Sequence, residues 1–147
     1  MKAVLQRVLE ARVRVDSVNV SEIGHGLLIY LGVEKGDTEA DFNFILEKIL
    51  KLRIFPDQDE RMQFSVVDNQ GEILLVSQFT LCADVRSGNR PSFSGAMEPG
   101  EARRVYERMA EVLRERGVRT HQGIFGAHMM VESVNDGPVT IWLDSRG

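Results

Sequence analysis

Ser77-Gln78-Phe79-Thr80 follows directly on an apolar run, Leu74-Leu75-Val76. Two hydroxyls and one amide in four residues supply a dense set of hydrogen-bond donors and acceptors. At the end of a buried strand each such group needs a partner, because leaving one unpaired costs about 1–3 kcal/mol. They can close a turn or cap a helix, or they can meet a ligand, since sites concentrate where strands run out into loops. No G-x-S-x-G surrounds Ser77, so a nucleophile on a strained elbow is a weak reading. Thr80 reads either as a nucleophile or as an anchor for a substrate. A second polar stretch, Asn135-Asp136-Gly137-Pro138-Val139-Thr140, answers the first from near the other end of the chain. The expectation is that the two build one site.

Other chemistry is sparse. Pro138 lacks an amide donor, and a Gly-Pro bond adopts the cis form at a cost of only about 0.5–1 kcal/mol, although a trans turn is the ordinary expectation. The histidines form no sequence triad, and His25 between Gly24 and Gly26 reads first as a turn residue. No paired carboxylates announce an acid and a base. The single cysteine, Cys82, excludes an internal disulfide and any metal-type cysteine spacing. No metal and no cofactor is expected.

The elements that must position these residues are legible in part. Ala11, Val13 and Val15 alternate with Arg12 and Arg14, which predicts a strand with arginines on one face. Asp16-Ser17 signals a turn, with Val18-Asn19-Val20 returning as a hairpin partner. Leu27 to Val33 reads as a central strand. Thr38 is a good N-cap with Asp41 three residues on, and Phe42, Ile45, Leu46, Ile49 and Leu50 recur at helical spacing, ending near Arg53. Ser65-Val66-Val67 reads as a short strand and Asp68-Asn69-Gln70-Gly71 as a hairpin turn. Glu72 to Val76 is the return strand that delivers Ser77. Ala83 to Gly100 lacks periodicity, and a loop of that length is usually functional or mobile. Its Arg86 and Arg90 read equally as a phosphate contact or as ordinary solvated residues. Glu101 to Arg116 reads as a second helix stopped by Gly117, its arginines interleaved with glutamates on a solvated face. Met129 to Val134 and Val139 to Leu143 read as two strands of a hairpin, turning at Asn135 to Pro138.

The 147 residues suit one domain, 1–147, with a sizeable core. Apolar residues are 43% and charged residues 27%, as in ordinary globular chains. A formal charge of −4 argues against a surface that binds nucleic acid everywhere, so any such contact needs a local patch. Met1 to Arg7 breaks to charge too soon for a signal peptide, and no apolar run approaches a membrane span. A cytoplasmic protein with no membrane association is expected.

Ser77-Gln78-Phe79-Thr80 taken with Gly137-Pro138-Val139-Thr140 resembles the D-aminoacyl-tRNA deacylases, also called D-tyrosyl-tRNA deacylases. Gln6-Arg7-Val8, Gly88-Asn89-Arg90-Pro91-Ser92-Phe93 and Phe125-Gly126-Ala127-His128-Met129 extend the resemblance, in the family's order, over essentially the whole chain. The resemblance implies an α+β fold: a mostly antiparallel, barrel-like β-sheet with two main helices packed on it. It implies a homodimer with active sites at the subunit interface. It also implies hydrolysis of the ester joining a D-amino acid, or mischarged glycine, to the 3′-terminal adenosine of aminoacylated tRNA. Carried over, the family's cis Gly-Pro motif falls on Gly137-Pro138, which would enter the active site of the opposite subunit.

Mirror-image substrates carry the same groups, so attraction separates them poorly and a rigid wall in the path of the L side chain separates them well. Glycine has no side chain to clash and would pass such a wall. The resemblance favours assistance from the 2′-hydroxyl of the terminal adenosine, with backbone N–H groups near Phe79 and Thr80 as an oxyanion site. Ser77 and Gln78 would hold the site or the adenosine. Phe125 and Met129 would line the adenine or support the Gly137-Pro138 loop, with core packing the alternative for Met129. Arg7 would pin that loop through a carbonyl, with a surface arginine the alternative. Two other function classes remain open: a non-catalytic module that binds an RNA end, and a generic Ser/Thr esterase with a base near Thr80 or Ser77.

Overall fold

A computed structural model describes residues 1–147. Its organising strand is β1 (Lys2–Val15), 14 residues long. Along one edge β1 pairs first with β3 (Gly26–Gly32) and then with β2 (Val18–Ile23), both antiparallel. The β1–β2 turn has φ 49° at Asp16 and 64° at Ser17, the left-handed pair that a two-residue hairpin requires. Along its other edge β1 pairs antiparallel with β8 (Met130–Asp144). Strand β6 (Glu72–Ser77) lies parallel to β3, and β7 (Thr120–Gln122) parallel to β6. The sheet is therefore mostly antiparallel, as the resemblance implies, with three antiparallel pairings and two parallel ones. Each parallel pair is joined through a helix, the crossover that parallel pairing needs.

Those helices are α1 (Glu39–Lys51) and α2 (Pro99–Glu115). Asp41 closes the start of α1 by accepting from the Thr38 N–H at 2.7 Å and its hydroxyl at 2.8 Å. Glu98 caps α2 by accepting from the N–H groups of Gly100 and Glu101. Phe42, Ile45 and Ile49 of α1 and Tyr106, Met109 and Leu113 of α2 pack with Ala3, Leu5, Leu27, Ile29, Ile73 and Leu75 of the sheet. The alternate residues Val8, Ala11, Val13, Leu28, Leu74 and Val76 form a smaller core on the opposite face. That alternation is why Ile73 to Val76 is continuously apolar: the strand is covered on both sides. The two-stranded remainder pairs β4 (Phe55–Pro56) with β5 (Met62–Phe64).

Two expectations are corrected. Ser65-Val66-Val67 is not a strand: the strand precedes it, at Met62–Phe64, and pairs with Phe55–Pro56, so Asp68-Asn69-Gln70-Gly71 is a turn but not that of a hairpin leading into β6. Ser65 instead gives its N–H and hydroxyl to the Asp68 carboxylate, both at 2.9 Å, and its carbonyl accepts from the Asn69 N–H. That side-chain turn chemistry outcompetes the β-propensity of two valines. The larger correction concerns the C-terminal stretch. Met129–Val134 and Val139–Leu143 do not pair with each other. Both halves pair with β1, Met130 to Asn135 against Arg14 to Val8 and Thr140 to Asp144 against Gln6 to Lys2. They are one strand, and Asn135 to Pro138 is not its end but a departure from its middle. No helix is long and apolar enough to cross a membrane.

Candidate active site

Gln6 faces Thr140 and Val8 faces Asn135, so residues 136–139 stand opposite the single residue Arg7. The extra residues leave the ladder as a wide bulge, whose tip is Gly137-Pro138, both exposed and joined by a cis bond. Gly137 has φ 126°, a region that side-chain-bearing residues rarely adopt, and a Cβ there would lie 3.1 Å from the Arg7 guanidinium.

Two groups hold the bulge. Arg7 is only 8% exposed. Its guanidinium donates to the Ile54 carbonyl at 2.7 Å, to the Asp136 carbonyl at 3.2 Å and lies 3.1 Å from the Asp136 carboxylate. The planar fork suits acceptors on two sides at once. A surface arginine is thus excluded at this position. Asn135 holds the other limb: its Oδ1 accepts from the Val139 N–H at 3.0 Å, and its Nδ2 donates to Thr140 Oγ1 at 3.2 Å. Gln6 also donates to Thr140 Oγ1.

Ser77 ends β6 opposite Leu31, and the Gln78 N–H reaches the Leu31 carbonyl at 2.8 Å. Phe79 and Thr80 then open a single 3-10 turn, Phe79–Cys82. The leading N–H groups of a helix have no acceptor inside it. Phe79 is 57% exposed and meets Phe93 edge-on, with ring centroids 5.0 Å apart. The Thr80 hydroxyl is exposed and accepts from the Gln78 side-chain amide, which is no base. The loop carrying Phe93 is pinned to the same region by paired backbone bonds between Asp84 and Ser92. Arg86 of that loop is bound by Asp84, whose carboxyl the guanidinium and the Arg86 N–H hold well below the usual range. Arg90 is exposed.

Phe125 is half-buried against Tyr106, centroids 5.8 Å apart. The Tyr106 hydroxyl donates to the Leu75 carbonyl at 2.8 Å, and Gly123 donates to the same carbonyl at 3.1 Å. Burial pushes that phenol up to about 12. Met129 is half-buried against the smaller core. His25 lies 3.2 Å from Asn69 and edge-on to Phe55.

The two polar stretches do not meet within one chain. Ser77 is level with Leu31, Ala3 and Leu143 across the sheet, whereas the bulge is level with Arg7. Four residues along β1 and three strand spacings across put them roughly 20 Å apart along the sheet. Sequence reasoning missed Asn135 as a brace, although an Asn beside a turn is a known signal of side-chain-to-backbone bonding. Helical spacing puts Tyr106 in the buried stripe of the second helix, but nothing short of the fold brings its hydroxyl to Leu75.

Comparison with known proteins now decides the family. A family model described as D-Tyr-tRNA(Tyr) deacylase matches residues 4–144. The chain belongs to that family. It is 54% identical over 147 residues to a D-aminoacyl-tRNA deacylase of Myxococcus xanthus, covering 100% of this chain and 96% of the relative. It is 52% identical to one from Thermotoga petrophila, covering 99% and 97%. A solved structure named c-Myc DNA Unwinding Element Binding Protein superposes with a TM-score of 0.92 at 44% identity, over 98% of both chains. A structure described as that of "a probable eukaryotic D-amino acid tRNA deacylase" superposes with a TM-score of 0.81 at 18% identity over 97% of both chains, which shows the shared fold. Membership makes this chain a hydrolase of the deacylase class.

Proposed function

We propose that this chain hydrolyses the ester between a D-amino acid and the 3′-terminal adenosine of tRNA, releasing both, and also clears mischarged glycine. The observation that carries the reading is the bulge at Gly137-Pro138, a fixed, exposed projection held by Arg7 and Asn135. A rigid backbone projection rejects one enantiomer by clash and leaves the other's side chain free toward solvent. The substrate class comes from the family and its curated relatives.

The active site is completed by a second copy of the chain. The separation of the two stretches within one chain supports this reading, as do the exposed Met130, Val134 and Trp142 of β8, which flank the bulge. The bulge of one subunit then reaches the Ser77–Thr80 turn of the other. The N–H groups of Phe79 and Thr80 stabilise the oxyanion formed when the ester is attacked, and the substrate 2′-hydroxyl assists. The Thr80 hydroxyl, already taken by Gln78, holds the site and does not attack. Phe79 offers its exposed face to the substrate, and Phe125 supports the pocket. The protein acts in the cytoplasm and needs no cofactor.

A second reading, binding of a nucleic-acid end without hydrolysis, is favoured by one observation: the structure at TM-score 0.92 is named for binding a DNA element. Incubation with tRNA charged with D-Tyr, L-Tyr or Gly separates the readings. Loss of D-Tyr and Gly esters with L-Tyr spared supports the deacylase. Equal loss of D-Tyr and L-Tyr indicates an unselective esterase, and binding with no ester loss indicates the binding module.

A further inference from the structure

We infer that Asn135 is a positioning residue that sets the enantiomer discrimination of the site, by fixing how far the Gly137-Pro138 tip stands from the sheet. The inference rests on the chiral-filter reading above and extends it to a residue that touches no substrate.

The bulge is a loop of four residues, 136–139, inserted in a strand that pairs with β1 on both sides, with one further register shift beside it where Leu9 of β1 lies between the Val8–Asn135 and Glu10–Val134 pairs. Such a loop has two limbs, and each must be fixed if the tip is to hold one position. Arg7 fixes the first limb at Asp136. Nothing in the β1 ladder fixes the second, since pairing resumes only at Thr140. Asn135 does so with its side chain. Its Oδ1 takes the Val139 N–H at 3.0 Å, while Nδ2 donates to Thr140 Oγ1 at 3.2 Å and lies 3.5 Å from the Val139 carbonyl. The Val139 N–H needs an acceptor, which settles the orientation of the amide: the oxygen faces Val139 and the nitrogen faces Thr140. The side chain thereby spans the neck of the loop, from its last regular residue on one side to its first on the other. Gln6 of β1 donates to the same Thr140 hydroxyl at 3.2 Å and ties the clasp to the sheet.

A wall that discriminates by clash works only if it does not yield. An L side chain pressing on a clasped tip meets a fixed obstacle; pressing on an unclasped tip, it displaces the second limb. Asn135 therefore acts on the rejected substrate far more than on the accepted one. Opening the clasp raises the rate with the L ester and leaves the rate with the D ester near its original value.

The test uses the full chain carrying Asn135→Ala or Asn135→Asp, with D-Tyr-tRNA and L-Tyr-tRNA as separate substrates. In Asn135→Ala the ratio of D to L hydrolysis rates falls by about tenfold, the effect of about 1.4 kcal/mol lost from the clasp. Asn135→Asp keeps an oxygen for the Val139 N–H and recovers part of that ratio. Thr140→Val leaves the Val139 bond intact and removes only the lateral tie, so it moves the ratio in the same direction by less and serves if Asn135→Ala does not fold. An unchanged ratio in a folded Asn135→Ala overturns the inference, as does an equal fall in both rates. If the wild-type chain itself fails to discriminate, the chiral-filter reading fails first and the inference with it. If the wild type discriminates and Asn135→Ala does so equally, the inference alone fails.

Discussion

Arg7→Lys keeps the positive charge opposite the bulge and removes the fork. The Arg7 guanidinium serves the Ile54 carbonyl at 2.7 Å on one side and Asp136 on the other, at 3.2 Å to its carbonyl and 3.1 Å to its carboxylate. A lysine ammonium is a point donor and cannot span both sides. It would keep Asp136, where the opposite charge is, and abandon Ile54, a buried carbonyl. An unpaired buried carbonyl costs about 1–3 kcal/mol, and the loss of a second charged bond adds a comparable amount. The net expectation is a loss of roughly 2–6 kcal/mol, read as a fall in Tm of roughly 6–18 °C for a chain of this length. Urea unfolding followed by far-UV circular dichroism gives the free energy directly, and a midpoint shift at constant slope confirms that stability alone has changed. The same variant should hydrolyse L-Tyr-tRNA faster relative to D-Tyr-tRNA than the wild type does, because the first limb of the bulge is loosened. A Tm within about 1 °C of wild type, with the ratio of the two rates unchanged, would refute the assignment of Arg7 as the anchor.

Other expectations follow from the packing. The Asp37 side chain is buried, 2.6 Å from the Met1 ammonium and 2.8 Å from the Arg146 guanidinium, and also accepts from the Glu34 N–H. Asp37→Asn leaves those cations without their shared partner and should destabilise by about 3 kcal/mol in chemical unfolding. A Cβ on Gly26 would lie 1.8 Å from the Glu72 carbonyl, so Gly26→Ala should force β3 and β6 apart and cost at least about 2–3 kcal/mol. Tyr106 is held up to about 12 by burial. The unfolded chain releases its phenolic protons at about pH 10, so between these values unfolding gains and stability falls as pH rises. Tyr106→Phe should flatten that alkaline decline and cost about 1 kcal/mol at neutral pH, from the lost bond to Leu75.

Much of the scaffold is readable from local chemistry. The capping box at Thr38 and Asp41, the helical spacing from Phe42 to Leu50, the Asp16-Ser17 turn and the doubly buried strand before Ser77 are all signals carried within a few residues. The mixed sheet and the single strand β8 are not, because pairing partners are chosen over the whole chain. Met130–Val134 and Val139–Leu143 have the spacing of a hairpin, and only β1, long enough to pair with both, makes them one strand. The site divides the same way. Ser77 to Thr80 is visible as polar groups at a strand end. Arg7 is visible only as an arginine on a strand, and its burial follows from the bulge that Asn135 to Thr140 forms against it. The relation of the two stretches to each other lies beyond any local pattern, since their separation is set by strand register across the whole sheet.

That relation is the central claim: Ser77–Thr80 of one copy and Gly137-Pro138 of another make one site. Phe79→Pro removes an N–H at the first position of the 3-10 turn, where proline fits, and Gly137→Val puts a branched side chain on the exposed tip of the bulge, where it blocks the pocket that the tip enters to either enantiomer. Each variant alone should be inactive on D-Tyr-tRNA. Refolded together in equal amounts, half of the dimers are mixed and each mixed dimer holds one intact site, so about a quarter of wild-type activity should return. A mixture in which mixed dimers are present and no activity returns would contradict the account.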